Sequence, residues 1–154
     1  LKLGASGKVV TSFDLAKMLA LGADWANSAR GFMFAIGCIQ AQACHTNGCP
    51  VGVATQDVLR QRALVVENKS ERVRRFHDNT LKALSDMTGA AGLDHPGNFR
   101  PHHLLIREKD RGMVTGEEVY PYLPVGFLLD EQEEEQGYLY RWRRANAESF
   151  DPVD

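Results

Sequence analysis

The first 44 residues carry one pattern twice: a short apolar run, a loop of small residues, then a helix. Residues 1–5 read as a buried strand that runs into the loop Gly4-Ala5-Ser6-Gly7-Lys8. Thr11 followed by Asp14 predicts a capped helix start, and Leu15, Met18 and Leu19 then recur at helical spacing until Gly22. Residues 23–27 form a second strand candidate, and Ser28-Ala29-Arg30-Gly31 a second small-residue loop. A second helix is predicted over residues 32–43. It is apolar almost all round (Phe32, Met33, Phe34, Ile36, Ile39), so it should be buried. Strand and helix in alternation specify an α/β fold with a parallel sheet, open or closed into a barrel.

The second constraint is chemical. Cys38, Cys44 and Cys49 are the only cysteines among 154 residues, and they fall within one short stretch followed by a proline. Cys38 lies on the predicted second helix, Cys44 at its end and Cys49 in the loop beyond. The chain must fold back for the three thiols to converge. The spacing Cys-x5-Cys-x4-Cys is not the paired spacing of common zinc sites. Three thiolates in one loop suit an iron–sulfur cluster. With the adjacent His45 they also suit a Cys3His zinc site, and inert thiols are the third alternative. An odd, clustered set argues for a reducing compartment rather than a secreted disulfide framework.

The two small-residue loops each precede a helix. Backbone N–H groups at such a junction attract anions, and small residues permit close approach. Consecutive loops of a (β/α)8 barrel commonly bind one phosphate together, and Lys8 and Arg30 would add positive charge. Ordinary β/α turns would carry the same residues.

Further along, residues 57–64 are a short helix candidate. Residues 68–87 give the clearest helix, with Asn68 and Glu71 at its start, a face of Val73, Phe76, Thr80, Leu81, Leu84 and Met87, and Gly89 as its stop. Its arginines read as a solvated face. His77 is expected to pack near the apolar face, and Trp25, Phe32 and Phe34 to belong to the core. His102 and His103 read as a surface pair. A short helix is expected to open within residues 100–105, and an amphipathic turn over residues 117–123. The acidic run over residues 130–135 and the basic one over 141–144 lead into a tail expected to be poorly ordered. A net charge of −2 does not suggest a nucleic-acid partner, and no apolar run approaches a membrane span. The chain opens without methionine, directly on a strand, which suggests a piece of a longer protein.

Residues 37–57, Gly-Cys-Ile-Gln-Ala-Gln-Ala-Cys-His-Thr-Asn-Gly-Cys-Pro-Val-Gly-Val-Ala-Thr-Gln-Asp, closely resemble the iron–sulfur segment of the glutamate synthases. The Leu-Gly-Ala-Asp at 21–24, Asn-Ser-Ala-Arg-Gly-Phe-Met-Phe at 27–34, Arg-Pro-His-His at 100–103 and Tyr-Pro-Tyr-Leu at 120–123 are similar to FMN-binding proteins of that family. The resemblance covers residues 1–125. It implies the C-terminal portion of an FMN-binding (β/α)8 TIM barrel. Residues 1–56 would be the last two β/α units with the cysteine segment, 57–125 a mainly helical extension, and 126–154 a charged tail.

By the same resemblance, Cys38, Cys44 and Cys49 would ligate a 3Fe-4S cluster. Ser6, Gly7 and Lys8, with Ala29 and Arg30, would hold the FMN phosphate. The glutamate synthases proper carry Asp-Gly-Gly and Gly-Thr at those two loops, so the contacts carried over are those of the backbone. The implied activity is a cytoplasmic oxidoreductase forming L-glutamate from 2-oxoglutarate and an amino donor. Its electrons would come from ferredoxin or an NAD(P)H-linked subunit. Related barrels act on other donors, such as methylated glutamate. The six earlier β/α units and the glutamine amidotransferase domain have no counterpart in these residues. No catalytic residue is assigned here, and the rest of the barrel is an expected partner.

Overall fold

A computed structural model of the chain describes residues 1–120, 122–129 and 137–151. They fall into two compact units, Leu1–Val119 and Tyr120–Asp154. The first unit opens with β1 (Gly4–Ser6), α1 (Ser12–Ala20) and β2 (Trp25–Asn27), a β-α-β unit whose strands pair in parallel. The crossover helix is what lets neighbouring strands run the same way. β1 begins later than residues 1–5 suggest, because Asp24 ties down the preceding stretch. Its carboxylate accepts from the Leu3 N–H at 2.7 Å and pairs with Lys2 at 2.7 Å. β2 keeps only the last three residues of its expected span.

α1 starts as the sequence predicts. The Thr11 hydroxyl accepts from the Asp14 N–H at 3.2 Å, and the Asp14 carboxylate accepts from the Thr11 N–H at 2.9 Å. This reciprocal box satisfies donors that a helix start otherwise leaves open.

The second helix departs from the sequence reading. α2 covers only Arg30–Ala35, so Arg30 is its first residue and Ala29 its cap position. Gly37 follows at φ 104°, a left-handed turn that ends the run long before residue 43. Cys38 and Cys44 therefore lie in loop, not on helix. Apolar composition alone did not reveal this stop.

α3 (Val58–Gln61) is capped by Asp57. α4 (Val66–Ala90) is longer than expected at both ends. Its cap position is Val65, which makes no side-chain cap, so Asn68 is not its cap. It runs through Gly89 and ends at Ala91, ahead of left-handed Gly92 at φ 73°. Glu71 bonds Arg74 and Arg75 within the first turns, and Arg74 also reaches Asp78. Leu84 and Thr88 are the fully buried positions of α4, whereas Leu81 is 49% exposed.

The core joins α1 to the chain beyond α4: Ala16 and Ala20 pack with Leu84, Phe99 and Leu104, flanked by Leu15, Leu19, Met87 and Leu93. Small residues on α1 allow this close approach. The extension is not purely helical. After a 3-10 turn at Pro101–His103 come β3 (Leu105–Glu108) and β4 (Gly112–Thr115), paired antiparallel with Ile106 opposite Val114. Gly112 at φ 77° closes the hairpin, and α5 (Gly116–Val119) ends the unit. Gly116 sits against Pro101, where a Cβ would come within 2.6 Å of the carbonyl oxygen.

In the second unit, α6 (Tyr138–Arg143) lies against a 3-10 turn at Phe127–Leu129. This helix occupies part of the tail expected to be poorly ordered. The acidic run over 130–135 lies outside the described residues. No helix of the described residues is long and apolar enough to cross a membrane.

Candidate functional site

The parallel register pairs Gly4 with Trp25, Ala5 with Ala26 and Ser6 with Asn27. Both strands therefore end at the same sheet edge, and both small-residue loops leave from it. Ser6, Gly7 and Lys8 come off β1; Ala29 and Arg30 follow β2. The loops are joined directly, since the Ser28 hydroxyl donates to the carbonyl of the buried Val9 at 2.8 Å. Gly7 sits at φ 105°, and a Cβ built on it would meet nothing within 4 Å. The space before it is open. Lys8 is also left-handed, at φ 56°, and Lys8 and Arg30 are exposed. Gly31 is used for packing, because a Cβ there would come within 2.7 Å of both the Phe76 ring and the Ser28 hydroxyl. Phe32 stacks edge-on against Phe76 at 5.2 Å, which fixes α2 on α4.

Beyond Gly37 the chain folds back through a run of unusual backbone. Gln40, Gln42 and Asn47 all take positive φ, between 55° and 60°. Such residues are uncommon outside glycine and mark a path set by tertiary contacts. Cys38 is half-buried, Cys44 exposed and Cys49 buried at 7% exposure. Among the described residues, no group of three or more His, Cys, Asp or Glu side chains is gathered to hold a metal ion. His45 is exposed beside Cys44.

Cys49 has the most developed surroundings. Backbone N–H groups of Ala54 and Val51 hold its thiol below the ordinary range, Val53 and Gly52 add to this, and burial pushes against it. N–H donors stabilise a sulfur that carries negative charge. Residue-type patterns did not point to this ring of amides. Its only trace in the sequence is Gly52, which takes φ 76° under Arg60, where a Cβ would come within 2.3 Å of the carbonyl oxygen.

Several side chains expected in the core lie elsewhere. Trp25 is 47% exposed, its ring covering Gly4 so closely that a Cβ there would be 2.6 Å away. His77 is exposed, with its ring 6.3 Å from Phe32 and Nδ1 3.7 Å from Asp78. Together with Leu15, Leu19 and Phe76 these residues line an apolar groove beside β2. His102 and His103 do form the expected pair, with rings 4.1 Å apart.

The family model for a conserved region in glutamate synthase matches residues 1–94, which hold both loops and all three cysteines. The chain belongs to the glutamate synthase family. It is 46% identical over 115 residues to a glutamate synthase large subunit-like protein of Bacillus subtilis, across 75% of this chain and 22% of the relative. It is 30% identical over 102 residues to an archaeal-type NADPH glutamate synthase of Dehalococcoides mccartyi, across 66% of this chain and 20% of that protein. Against the NADH glutamate synthase of Saccharomyces cerevisiae the identity is 43% over 105 residues, 68% of this chain and 5% of the other. The chain thus spans about a fifth or less of the length of these relatives.

The residues present fit the cofactors of that family in kind. Three free thiols match a three-iron cluster in number, and Cys49 already has donors suited to a cluster-bound sulfur. Open space before Gly7, in a loop that also carries the exposed Lys8, is compatible in kind with a phosphate.

Proposed function

We propose that this glutamate synthase chain forms the end of an FMN-binding (β/α)8 barrel and carries the phosphate loops and cluster ligands of a glutamate-forming oxidoreductase. The observation that carries the reading is the in-register pair β1–β2. It puts two small-residue loops on one sheet edge, with the cysteine loop following directly from the second unit. Ligands in parallel α/β architectures bind at that edge, where strands end.

Backbone N–H groups of Ser6, Gly7 and Lys8, and of Ala29 and Arg30, would bind the phosphate of FMN. The Lys8 and Arg30 side chains would offset its charge. Cys38, Cys44 and Cys49 would hold a 3Fe-4S cluster, and Cys49 would do so from a water-shielded position. When bound, flavin and cluster supply the electron transfer that reduces an imino compound to L-glutamate. The substrates would be 2-oxoglutarate and an amino donor, with electrons from ferredoxin or an NAD(P)H-linked subunit. The remaining barrel strands would cover the open edges of the two-stranded sheet. A cytoplasmic setting suits three unpaired thiols.

The test is an anaerobic visible spectrum of the purified chain with iron and zinc analysis. Retention of about three iron atoms per chain, with broad visible absorption, is the expected result. Cys44→Ala should abolish it, while His45→Ala should leave it intact. Zinc in place of iron, or iron retained in Cys44→Ala, would overturn the ligand assignment.

A further inference from the structure

We propose that Arg60 and Gln61, with Gly52 beneath them, form a clasp that pre-sets Cys49 before any metal arrives, making Arg60 a positioning residue of the cluster site. The inference rests on the cluster reading above for its purpose, though not for its geometry.

The clasp is built from both sides. The Arg60 guanidinium donates to the Gly48 carbonyl at 3.1 Å, directly ahead of Cys49. The same guanidinium pairs with Asp57 at 3.4 Å, and Asp57 in turn accepts from the Leu59 N–H at 2.8 Å, which orients α3. Gln61 donates through Nε2 to the Thr55 carbonyl at 2.8 Å, directly after the amide ring of residues 51–54. Thr55 closes the base by donating from its hydroxyl to the Asn47 carbonyl at 2.7 Å. Side chains of α3 thus grip the cysteine turn at 48 and at 55, the two points that bracket Cys49 and its amides. Gly52 lies against the Arg60 carbonyl, where no Cβ fits.

Cys38 and Cys44 have nothing comparable. Cys38 accepts one bond, from the Gln40 N–H at 3.5 Å, and Cys44 is exposed. The asymmetry assigns an order. Cys49 is the fixed ligand, and the two other cysteines reach it by movement of the stretch between Gly37 and Gly48. Preorganisation of one ligand by its surroundings lowers the ordering cost of the whole set.

The experiment is thiol alkylation of the metal-free chain with iodoacetamide, followed site by site by mass spectrometry. Cys49 should react at least about tenfold more slowly than Cys44, because at 7% exposure its lost access outweighs the extra thiolate its amide donors favour. Arg60→Ala should raise the Cys49 rate about tenfold with little change at Cys44, and Arg60→Lys, which keeps a cationic donor, should restore much of the protection. Arg62→Ala, two residues away at the end of α3, should change nothing. Circular dichroism separates loss of the clasp from loss of the fold. Equal rates at Cys49 and Cys44 in the parent chain would overturn the inference, as would unchanged protection in a folded Arg60→Ala variant. A metal-free chain that shows the protection pattern but takes up no iron upholds the clasp and sinks the cluster reading instead.

Discussion

At the scale of single residues, the tightest constraints fall on glycines whose missing Cβ is filled by a neighbour. Gly31 is buried between the Phe76 ring and the Ser28 hydroxyl. Gly31→Ala forces both to move, which strains the contact of α2 with α4 and the Ser28–Val9 tie between the two small-residue loops. Overpacking of this kind costs about 1–3 kcal/mol, and a urea titration should show it as a lower midpoint. Glu71 offers a prediction in pH. Side-chain hydrogen bonds from Arg74 and then Arg75 lower its pKa from 4.5 to about 2. Its ionised form is favoured in the folded helix, so its contribution is full above 4.5 and is lost as pH falls toward 2. Glu71→Gln should flatten the pH dependence of helix content over that window, as read by circular dichroism at 222 nm. Added salt should shrink the difference, because all three side chains are largely exposed.

At the scale of elements, caps and stops decided the boundaries. The Thr11–Asp14 box was legible because both partners are local, and α1 starts where those residues say. Thr11→Val removes the hydroxyl that accepts from Asp14 and should cost about 1 kcal/mol, measurable as a fall in Tm. The stop of α2 was hidden, because an apolar run looks the same whether it continues as helix or turns at Gly37 into a loop. The hairpin of β3 and β4 was hidden for a related reason. Four-residue strands carry too little alternation to be told from short helical turns, and Gly112 gained its meaning only once the two strands were seen to pair. Conversely, Gly89 looked like a stop and is not one. A glycine in a helix costs about 1 kcal/mol against alanine, and here, one residue from the helix end, the buried Thr88 before it anchors the last turn.

At the scale of the molecule, the first unit holds together through a small core. Ala16 and Ala20 of α1 meet Leu84 of α4 together with Phe99 and Leu104. Phe99, only 6% exposed, links the β-α-β unit to the extension. Phe99→Ala should destabilise the unit by about 3–5 kcal/mol, a change visible in urea unfolding monitored by circular dichroism. Because the same side chain touches both parts, they should lose structure together and not in separate steps. Trp25 and Leu81, each about half exposed, line the apolar groove beside β2.

The sequence by itself determined the family, the parallel β-α-β start and the chemical identity of the candidate ligands. Each depends on residue types at short, fixed spacings, which local physics reads directly. What only tertiary structure decided was the surroundings of each candidate ligand. Nothing in the spacing of Cys38, Cys44 and Cys49 says that the third is buried while the second faces solvent. That difference arises from Arg60 and Gln61 reaching back to the carbonyls of Gly48 and Thr55, contacts set by how α3 folds onto the cysteine turn. A hydrogen bond across such a fold leaves no periodic trace in the chain.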